Sequence, residues 1–162
     1  MRYNDFRKRK ELPKMKIWFD MDGTIADLYG VENWLPMLRN SDPTPYKVAK
    51  PLLNFSLFAR LLNKTQRNGY EIGIISWTSK TGTPEYNEAV ETAKRKWLAC
   101  HLPSVKWDTI AVVPYGTPKS TCGEGILFDD EEPNRKEWKG LALEPDKIFS
   151  ILKISSLVAA VD

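Results

Sequence analysis

Short apolar runs alternate along this chain with longer segments in which apolar residues recur every three or four positions. The apolar runs predict buried strands at residues 15–20, 70–75, 109–113 and 125–128, and a short fifth strand at 141–143. Strands that alternate with helices usually lie parallel in one sheet, with helices on both of its faces. The pattern therefore predicts an α/β fold: a doubly wound, Rossmann-like parallel sheet in three layers.

The longer helical segments have recognisable start and stop signals. Residues 54–68 predict a helix that Asn54 caps and Gly69 ends. A second helix is predicted from Thr83 to about Cys100, because Thr83 can cap it and Pro84 suits its first turn. An apolar stripe on this second helix is predicted to pack in the core, and it consists of Tyr86, Ala89, Val90, Ala93 and Trp97.

Two shorter helices are predicted at residues 32–39 and 145–152. Between the first of them and residue 54, the Pro-containing cluster at residues 41–45 is predicted to interrupt helical structure. No internal repeat or low-complexity linker divides the chain, and 162 residues are enough for one hydrophobic core. We therefore expect a single domain over residues 15–162.

The first predicted strand ends in two carboxylates, Asp20 and Asp22, which Gly23 and Thr24 follow at once. Side chains two residues apart in extended backbone lie on the same face, so both carboxylates should point into one space. At a separation of about 4 Å they would repel each other by roughly 4 kcal/mol at an effective dielectric constant of about 20. A shared proton or a hard divalent cation such as Mg²⁺ would relieve this repulsion.

Further polar residues lie at or after the ends of other predicted strands, namely Ser76, Lys119 and the adjacent Asp129 and Asp130. In open parallel sheets, ligands bind beyond the carboxyl ends of the strands. Together these residues would supply a nucleophile, a hydroxyl donor, a cation and metal-binding carboxylates, which phosphoryl transfer requires. Taken singly, each has an ordinary structural interpretation as a strand-end cap, a surface charge or a turn residue.

Four segments of the chain, in this order, resemble the four motifs of haloacid dehalogenase-like (HAD) phosphatases. They are FDMDGTIAD at residues 19–27, the apolar strand that ends in Ser76, Lys119, and ILFDDEEPN at residues 126–134. The resemblance extends over about residues 16–153 and implies a HAD-like fold and Mg²⁺-dependent hydrolysis of a phosphomonoester. A receiver domain uses similar residues, but there the acidic pair comes first and the phosphate-accepting aspartate follows on a later strand.

The resemblance also implies three catalytic residues. Asp20 would attack phosphorus and form an aspartyl phosphate. Asp22 would protonate the leaving oxygen and then activate the water that hydrolyses the intermediate. Lys119 would balance the negative charge on Asp20 and on the phosphate.

The same resemblance implies the residues that bind phosphate and metal. The phosphate-binding positions would be Asp20, Met21, Asp22, Ser76, Trp77 and Lys119. The Mg²⁺ ligands would be Asp20, the backbone carbonyl of Asp22, and an acid of the pair Asp129 and Asp130. The choice of the direct ligand within that last pair stays open, and Thr24 is expected to stabilise the turn.

The substrate is expected to depend on the insertion between the first two motifs. Only 56 positions separate Asp20 from Ser76, which leaves residues 28–53 for a small flap. The site should therefore be fairly open and suit a bulky substrate or a chain end. The fourth motif is most similar to that of the 5′-deoxyribonucleotidase branch, whereas the minimal cap resembles polynucleotide 3′-phosphatases. The expected partner is a phosphorylated small molecule, a nucleotide in particular, or a nucleic-acid end.

Three aromatic residues, Tyr29, Trp34 and Trp77, follow the motifs or lie in the flap. One of them could stack on a base, an interaction that contributes about 1–3 kcal/mol per base. The alternative for Trp34 is that it packs a short helix on the core.

Charge is distributed unevenly along the chain. Residues 1–16 hold seven Lys or Arg and two acids, a net charge of +5, so the rest of the chain, with the total at +3, has −2. Residues 1–14 are predicted to form a basic arm, either a solvated, disordered leader or a contact for nucleic acid. A nucleic-acid-binding protein with a vestigial phosphatase body is therefore the alternative function.

The remaining composition restricts the compartment and the chemistry. No apolar run approaches the roughly 20 residues of a membrane-spanning helix, and the basic N-terminus lacks the apolar centre of a signal peptide. Cys100 and Cys122 form no metal-binding pair, and the single histidine, His101, gives little support to a His-rich zinc site or a Ser-His-Asp triad. We expect a cytoplasmic protein with reduced thiols and no membrane partner, and the oligomeric state stays open.

Overall fold

A computed structural model describes residues 14–160 of the chain. Within this range, strands and helices follow one another in α/β order. They are β1 (Lys16–Phe19), β2 (Ala26–Asp27), α1 (Trp34–Arg39), α2 (Thr44–Val48), β3 (Lys50–Pro51), α3 (Phe55–Arg67), β4 (Glu71–Trp77), α4 (Pro84–His101), β5 (Thr109–Val113), β6 (Ile126–Phe128), α5 (Glu132–Glu137), β7 (Leu141–Leu143) and α6 (Ile148–Ser155). All but the last residue of the predicted basic arm, 1–14, lies outside the described residues.

Five strands form one parallel sheet in the order β5-β4-β1-β6-β7. The central strand, β1, pairs with β4 on one side and with β6 on the other, so that Ile17 lies opposite both Ile72 and Ile126. Residues Ile17, Trp18 and Phe19 are all buried, because a central parallel strand is covered on both faces. The predicted α/β fold with a doubly wound parallel sheet is confirmed.

Two apolar layers cover the sheet. On one face, Phe19 stacks on Phe128 with ring centroids 5.3 Å apart and meets the edge of the Phe58 ring from α3. Side chains from α4 and α6 complete this layer. On the other face, Trp18 packs with a smaller cluster that includes Trp138, which follows α5. Alternate residues of β1 therefore anchor opposite sides of the molecule.

The predicted caps are present at both long helices. The Asn54 side chain accepts a hydrogen bond from the backbone N–H of Leu57 at the start of α3. Thr83 accepts one from the N–H of Tyr86 at the start of α4. The predicted apolar stripe of α4 packs inward, although Ala89 is only partly buried.

Residues 28–53, which we call the flap, contain α1 and α2. The short strands β2 and β3 at its two ends pair antiparallel, with Ala26 opposite Pro51. Leu28 and Tyr46 pack with residues of α4 in a cluster of their own. The predicted interruption of helical structure is present at residues 41–43, because α1 ends at Arg39 and α2 begins at Thr44. The helix α2 itself was not predicted, and Pro45 occupies its first turn, where no backbone N–H is needed.

Two further expectations concern the helices and the thiols. Among the described residues, no helix is both long and apolar enough to cross a bilayer. Cys100 and Cys122 are both free thiols. His101 lies at the end of α4, and its ring centroid is 4.5 Å from that of Trp97. This contact gives His101 a role in packing.

Candidate functional site

The carboxyl ends of three adjacent strands bring the candidate residues to one edge of the sheet. Asp20 directly follows β1, Ser76 lies near the end of β4, and Asp129 directly follows β6. The backbone N–H of Asp20 donates to the carbonyl of Phe128 at 2.9 Å, so strand pairing continues up to the first carboxylate. Parallel register therefore brings the ends of these three strands, and the residues that they carry, to the same edge of the sheet.

A tight turn follows β1 and directs the chain away from the site. The carbonyl of Met21 accepts hydrogen bonds from the backbone N–H groups of Thr24, Ile25 and Ala26 at 2.9–3.1 Å. Gly23 adopts a positive φ of 81°, and a Cβ at this position would collide with the Asp130 carboxylate. Glycine is needed here both for its backbone conformation and for the close approach of Asp130.

Asp20, Asp129 and Asp130, which we call the acidic triad, have ligand oxygens that all lie within 4.8 Å of one another. Asp20 and Asp129 are buried, whereas Asp130 is partly exposed. The Thr24 hydroxyl lies 3.0 Å from Asp20 Oδ2 and 3.3 Å from Asp130 Oδ1, and so links two members of the triad. Three converging carboxylates are a donor set that suits a hard divalent cation.

The crowding of these carboxylates changes their protonation. Burial, together with the negative charge of Asp20, raises the pKa of Asp129 to about 6. Burial and the charges of Asp20 and Asp129 raise the pKa of Asp130 to about 7. Without a metal ion, the triad therefore retains protons at a pH at which isolated carboxylates have lost them.

Lys119 is buried between two members of the triad. Its Nζ donates to Asp20 Oδ1 at 2.8 Å and to Asp129 Oδ2 at 2.6 Å. Burial by itself lowers the pKa of the Lys119 ammonium, but the two carboxylates outweigh this effect and raise it above its ordinary value. Lys119 therefore remains a cation and neutralises one negative charge of the triad.

The start of α5 fixes the side chain of Asp129. The backbone N–H of Glu131 donates to Asp129 Oδ1 at 2.9 Å, and Asn134 Nδ2 donates to Oδ2 at 3.2 Å. Arg135 donates to the Asp129 backbone carbonyl at 3.0 Å. Asn134 lies in the segment at residues 126–134, but its orienting role was not predicted from the sequence.

Asp22 lies outside the acidic triad and has a different partner. Its Oδ2 accepts a hydrogen bond at 2.7 Å from Lys94, a buried residue of α4. Burial raises the pKa of Asp22, and the Lys94 ammonium offsets only part of that rise. The two carboxylates of the first motif are therefore divided between two lysines.

Lys94 was missed by sequence analysis. It lies four residues after Val90 and three before Trp97, and so belongs to the buried face of α4. The predicted buried stripe of α4 included only apolar residues, and Lys94 is the one charged residue on the same face. A lysine at a core-facing helical position is the signal that could have identified it.

A pocket of about 460 Å³ opens above these residues. Of the predicted site residues, Asp20, Asp22, Trp77 and Lys119 line it. Ser76 and Met21 are buried next to it. Four of the aromatic side chains that line the pocket form two pairs: Tyr29 with Trp34 at 5.0 Å, and Trp77 with Tyr115 at 4.8 Å between ring centroids.

Trp34 lines this pocket, whereas Leu38 is the residue of α1 that packs against the cluster of Leu28 and Tyr46. The Trp34 ring meets that of Tyr29 at 74°, in an edge-to-face arrangement. The alternative that Trp34 packs the short helix on the core therefore does not describe its position.

No protein-family model matches this chain, and no curated protein matches it either. The chemistry of the site therefore has to be inferred from its own geometry.

The raised pKa values predict a pH-dependent response of stability to metal. In EDTA, Asp129 and Asp130 of the folded protein hold protons between about pH 4 and 7 that the unfolded chain has released. The free energy of unfolding should therefore fall as pH rises from about 4 to about 7. Added MgCl₂ should raise the Tm little at pH 5 and clearly at pH 8. Differential scanning fluorimetry measures both effects.

Matched variants make this test specific. Asp129→Asn should lose the Mg²⁺-dependent rise in Tm, whereas Asp146→Asn, at an exposed carboxylate, should keep it. An equal rise in Tm at pH 5 and pH 8, or a rise that survives Asp129→Asn, would contradict a metal site at the triad.

Proposed function

We propose that this chain is a HAD-type phosphomonoester hydrolase that acts through an aspartyl phosphate on Asp20. The observation that supports this best is the separation of the two carboxylates of the first motif. Asp20 belongs to the acidic triad with Lys119, whereas Asp22 lies apart, beside Lys94. A nucleophile and a general acid require such different environments, and a simple metal-binding pair does not.

In the first step, a carboxylate oxygen of Asp20 forms a bond to phosphorus as the bond from phosphorus to the ester oxygen breaks. The leaving oxygen takes a proton from Asp22, which lines the same pocket. Lys119 keeps its ammonium on Asp20 Oδ1 at 2.8 Å and balances the charge that gathers near the phosphoryl oxygens. The products of this step are the free alcohol and the phosphorylated Asp20.

In the second step, water attacks the phosphorus of the aspartyl phosphate. Asp22, now a carboxylate, takes a proton from that water as the bond from phosphorus to the Asp20 oxygen breaks. Inorganic phosphate leaves, and both aspartates return to their starting forms. One residue thus serves as acid in the first step and as base in the second.

We infer that Mg²⁺ is the cofactor. Asp20, Asp129 and Asp130 suit this ion because their carboxylates are hard oxygen ligands. Lys119 neutralises only part of their negative charge. The backbone carbonyl of Asp22 would be a further ligand. When bound, the ion would act as a Lewis acid on the phosphoryl oxygens.

The lining of the pocket supports a substrate with a flat ring. The Tyr29–Trp34 pair belongs to the flap. In the other pair, Trp77 is the last residue of β4 and Tyr115 follows β5. Arg39 and Lys80 add positive charge to the same pocket. We therefore propose a nucleotide, or the phosphorylated end of a nucleic acid, as the substrate, with its base against one aromatic pair.

Replacement of the nucleophile is the first functional test. Asp20→Asn should lower kcat for 4-nitrophenyl phosphate by at least about 10³-fold, because the amide oxygen is a poor nucleophile. Circular dichroism should show a folded protein, and Asp146→Asn should keep wild-type kcat. Full activity in Asp20→Asn would exclude the mechanism.

A second test addresses the substrate. Trp34→Ala should raise KM for nucleoside monophosphates by about 5- to 150-fold, the equivalent of about 1–3 kcal/mol of stacking. The KM for glycerol phosphate, which has no ring, should change little. Steady-state kinetics with both substrates decides this point, and an equal loss for both would show that Trp34 has only a structural role.

A further inference from the structure

Lys94 is a fully buried cation that the proposed reaction steps do not use. Only 1% of its surface is exposed. Burial of an ammonium group is costly unless its charge and its hydrogen bonds are satisfied. The partners of Lys94 must therefore explain why a lysine occupies a core-facing position of α4.

Three oxygen atoms surround Lys94 Nζ, each at 2.7 Å. They are Asp22 Oδ2, Ser76 Oγ and the backbone carbonyl of Trp77. An ammonium group has three N–H donors and no acceptor, so these bonds use all of its protons. Lys94 therefore has no proton left for a substrate phosphate, and it can act on the substrate only through the groups that it holds.

The position of Lys94 determines where Asp22 can lie. Asp20 and Asp22 leave β1 two residues apart, yet Asp20 joins Asp129 and Asp130 while Asp22 does not. Lys94 approaches from α4, and Lys119 comes from the connection between β5 and β6. The two lysines thus draw the two carboxylates of the first motif toward different partners.

The flap shields Lys94 from solvent. The ring of Tyr46, on α2, lies with its centroid 5.0 Å from Lys94 Nζ, within the range of a cation–π interaction. Tyr46 is itself buried against α4 with Leu28. The charge-assisted hydrogen bond from Lys94 to Asp22 therefore lies in a partly dehydrated environment, where it is stronger than on the surface.

We propose that Lys94 is a positioning residue that holds the Asp22 carboxylate in the pocket and out of the acidic triad. Without Lys94, Asp22 becomes free to turn toward the triad and to bind its metal ion. The reaction then loses its proton donor, although the nucleophile and the metal ligands remain. The catalytic part of this inference depends on the proposed phosphatase function, whereas the effect on metal binding does not.

The kinetic test compares Lys94→Met with the wild type. The kcat for an alkyl phosphate should fall by about 10²-fold or more, the usual contribution of general acid–base catalysis. KM should change little, because Lys94 has no free proton for the substrate. Lys96→Met, an exposed position two residues further along α4, is the matched control and should keep wild-type kcat.

Chemical rescue distinguishes positioning from general support of the fold. In Lys94→Ala, methylammonium or ethylammonium should restore part of the lost kcat, because these ions can occupy the vacated space and donate to Asp22. Tetramethylammonium cannot donate and should restore nothing. An unchanged kcat in the Lys94 variants, or equal effects of all three ions, would overturn the proposal.

Metal binding supplies a test that requires no activity. The Mg²⁺ concentration that gives half of the maximal rise in Tm should be lower in Lys94→Met than in the wild type, because Asp22 joins the ligands. In an Asp22→Asn background, the same Lys94 change should have a smaller effect. An equal effect in both backgrounds would show that Lys94 does not act through Asp22. Lys94→Gln serves for both measurements if Lys94→Met fails to fold.

The two proposals fail in distinguishable ways. A wild-type protein without phosphatase activity would refute the proposed function, and the metal titration would still decide whether Lys94 positions Asp22. An active wild type with an equally active Lys94→Met variant would refute the role of Lys94 and leave the phosphatase function intact.

Discussion

Repulsion among four carboxylates at the carboxyl end of β1 is the constraint on which the rest of the site depends. Parallel register brings the side chains of Asp20, Asp22, Asp129 and Asp130 to the same edge of the sheet. Two buried lysines divide them: Lys119 contacts Asp20 and Asp129, and Lys94 contacts Asp22. The negative charge that remains in the acidic triad is what a divalent cation would neutralise.

Packing and hydrogen bonds around the site hold the backbone segments that carry these carboxylates. Phe19 and Trp18 anchor β1 in opposite apolar layers, so the strand that leads into Asp20 is packed on both of its faces. Gly23 lets the following turn pass close to Asp130. The N-terminal part of α5 holds the Asp129 carboxylate through Glu131 and Asn134. Close packing within the protein thus offsets the electrostatic cost of bringing these carboxylates together.

Much of this could be predicted from the sequence, because its signals are local. The buried strands follow from their apolar runs, and the caps at Asn54 and Thr83 from residue type and position. The structure confirms the parallel sheet, and it brings the predicted acids together at its edge. Lys94 was missed because the buried face of α4 was predicted from its apolar residues alone. The burial of Lys94 is explained only by partners on other elements, namely Asp22, Ser76 and the backbone carbonyl of Trp77. The Trp77–Tyr115 pair likewise depends on a tertiary contact, because it joins residues at the ends of two different strands.

The central claim is a covalent phosphoryl group on Asp20, and trapping it in the Asp22→Asn variant is the most direct measurement. With 4-nitrophenyl phosphate, whose leaving group needs no proton, the first step should proceed while hydrolysis of the intermediate stalls for lack of a base. Mass spectrometry after an acid quench should then find one added phosphoryl group on a peptide, located at Asp20. An active wild type whose Asp22→Asn variant accumulates no phosphoenzyme, or accumulates it at another residue, would contradict the mechanism.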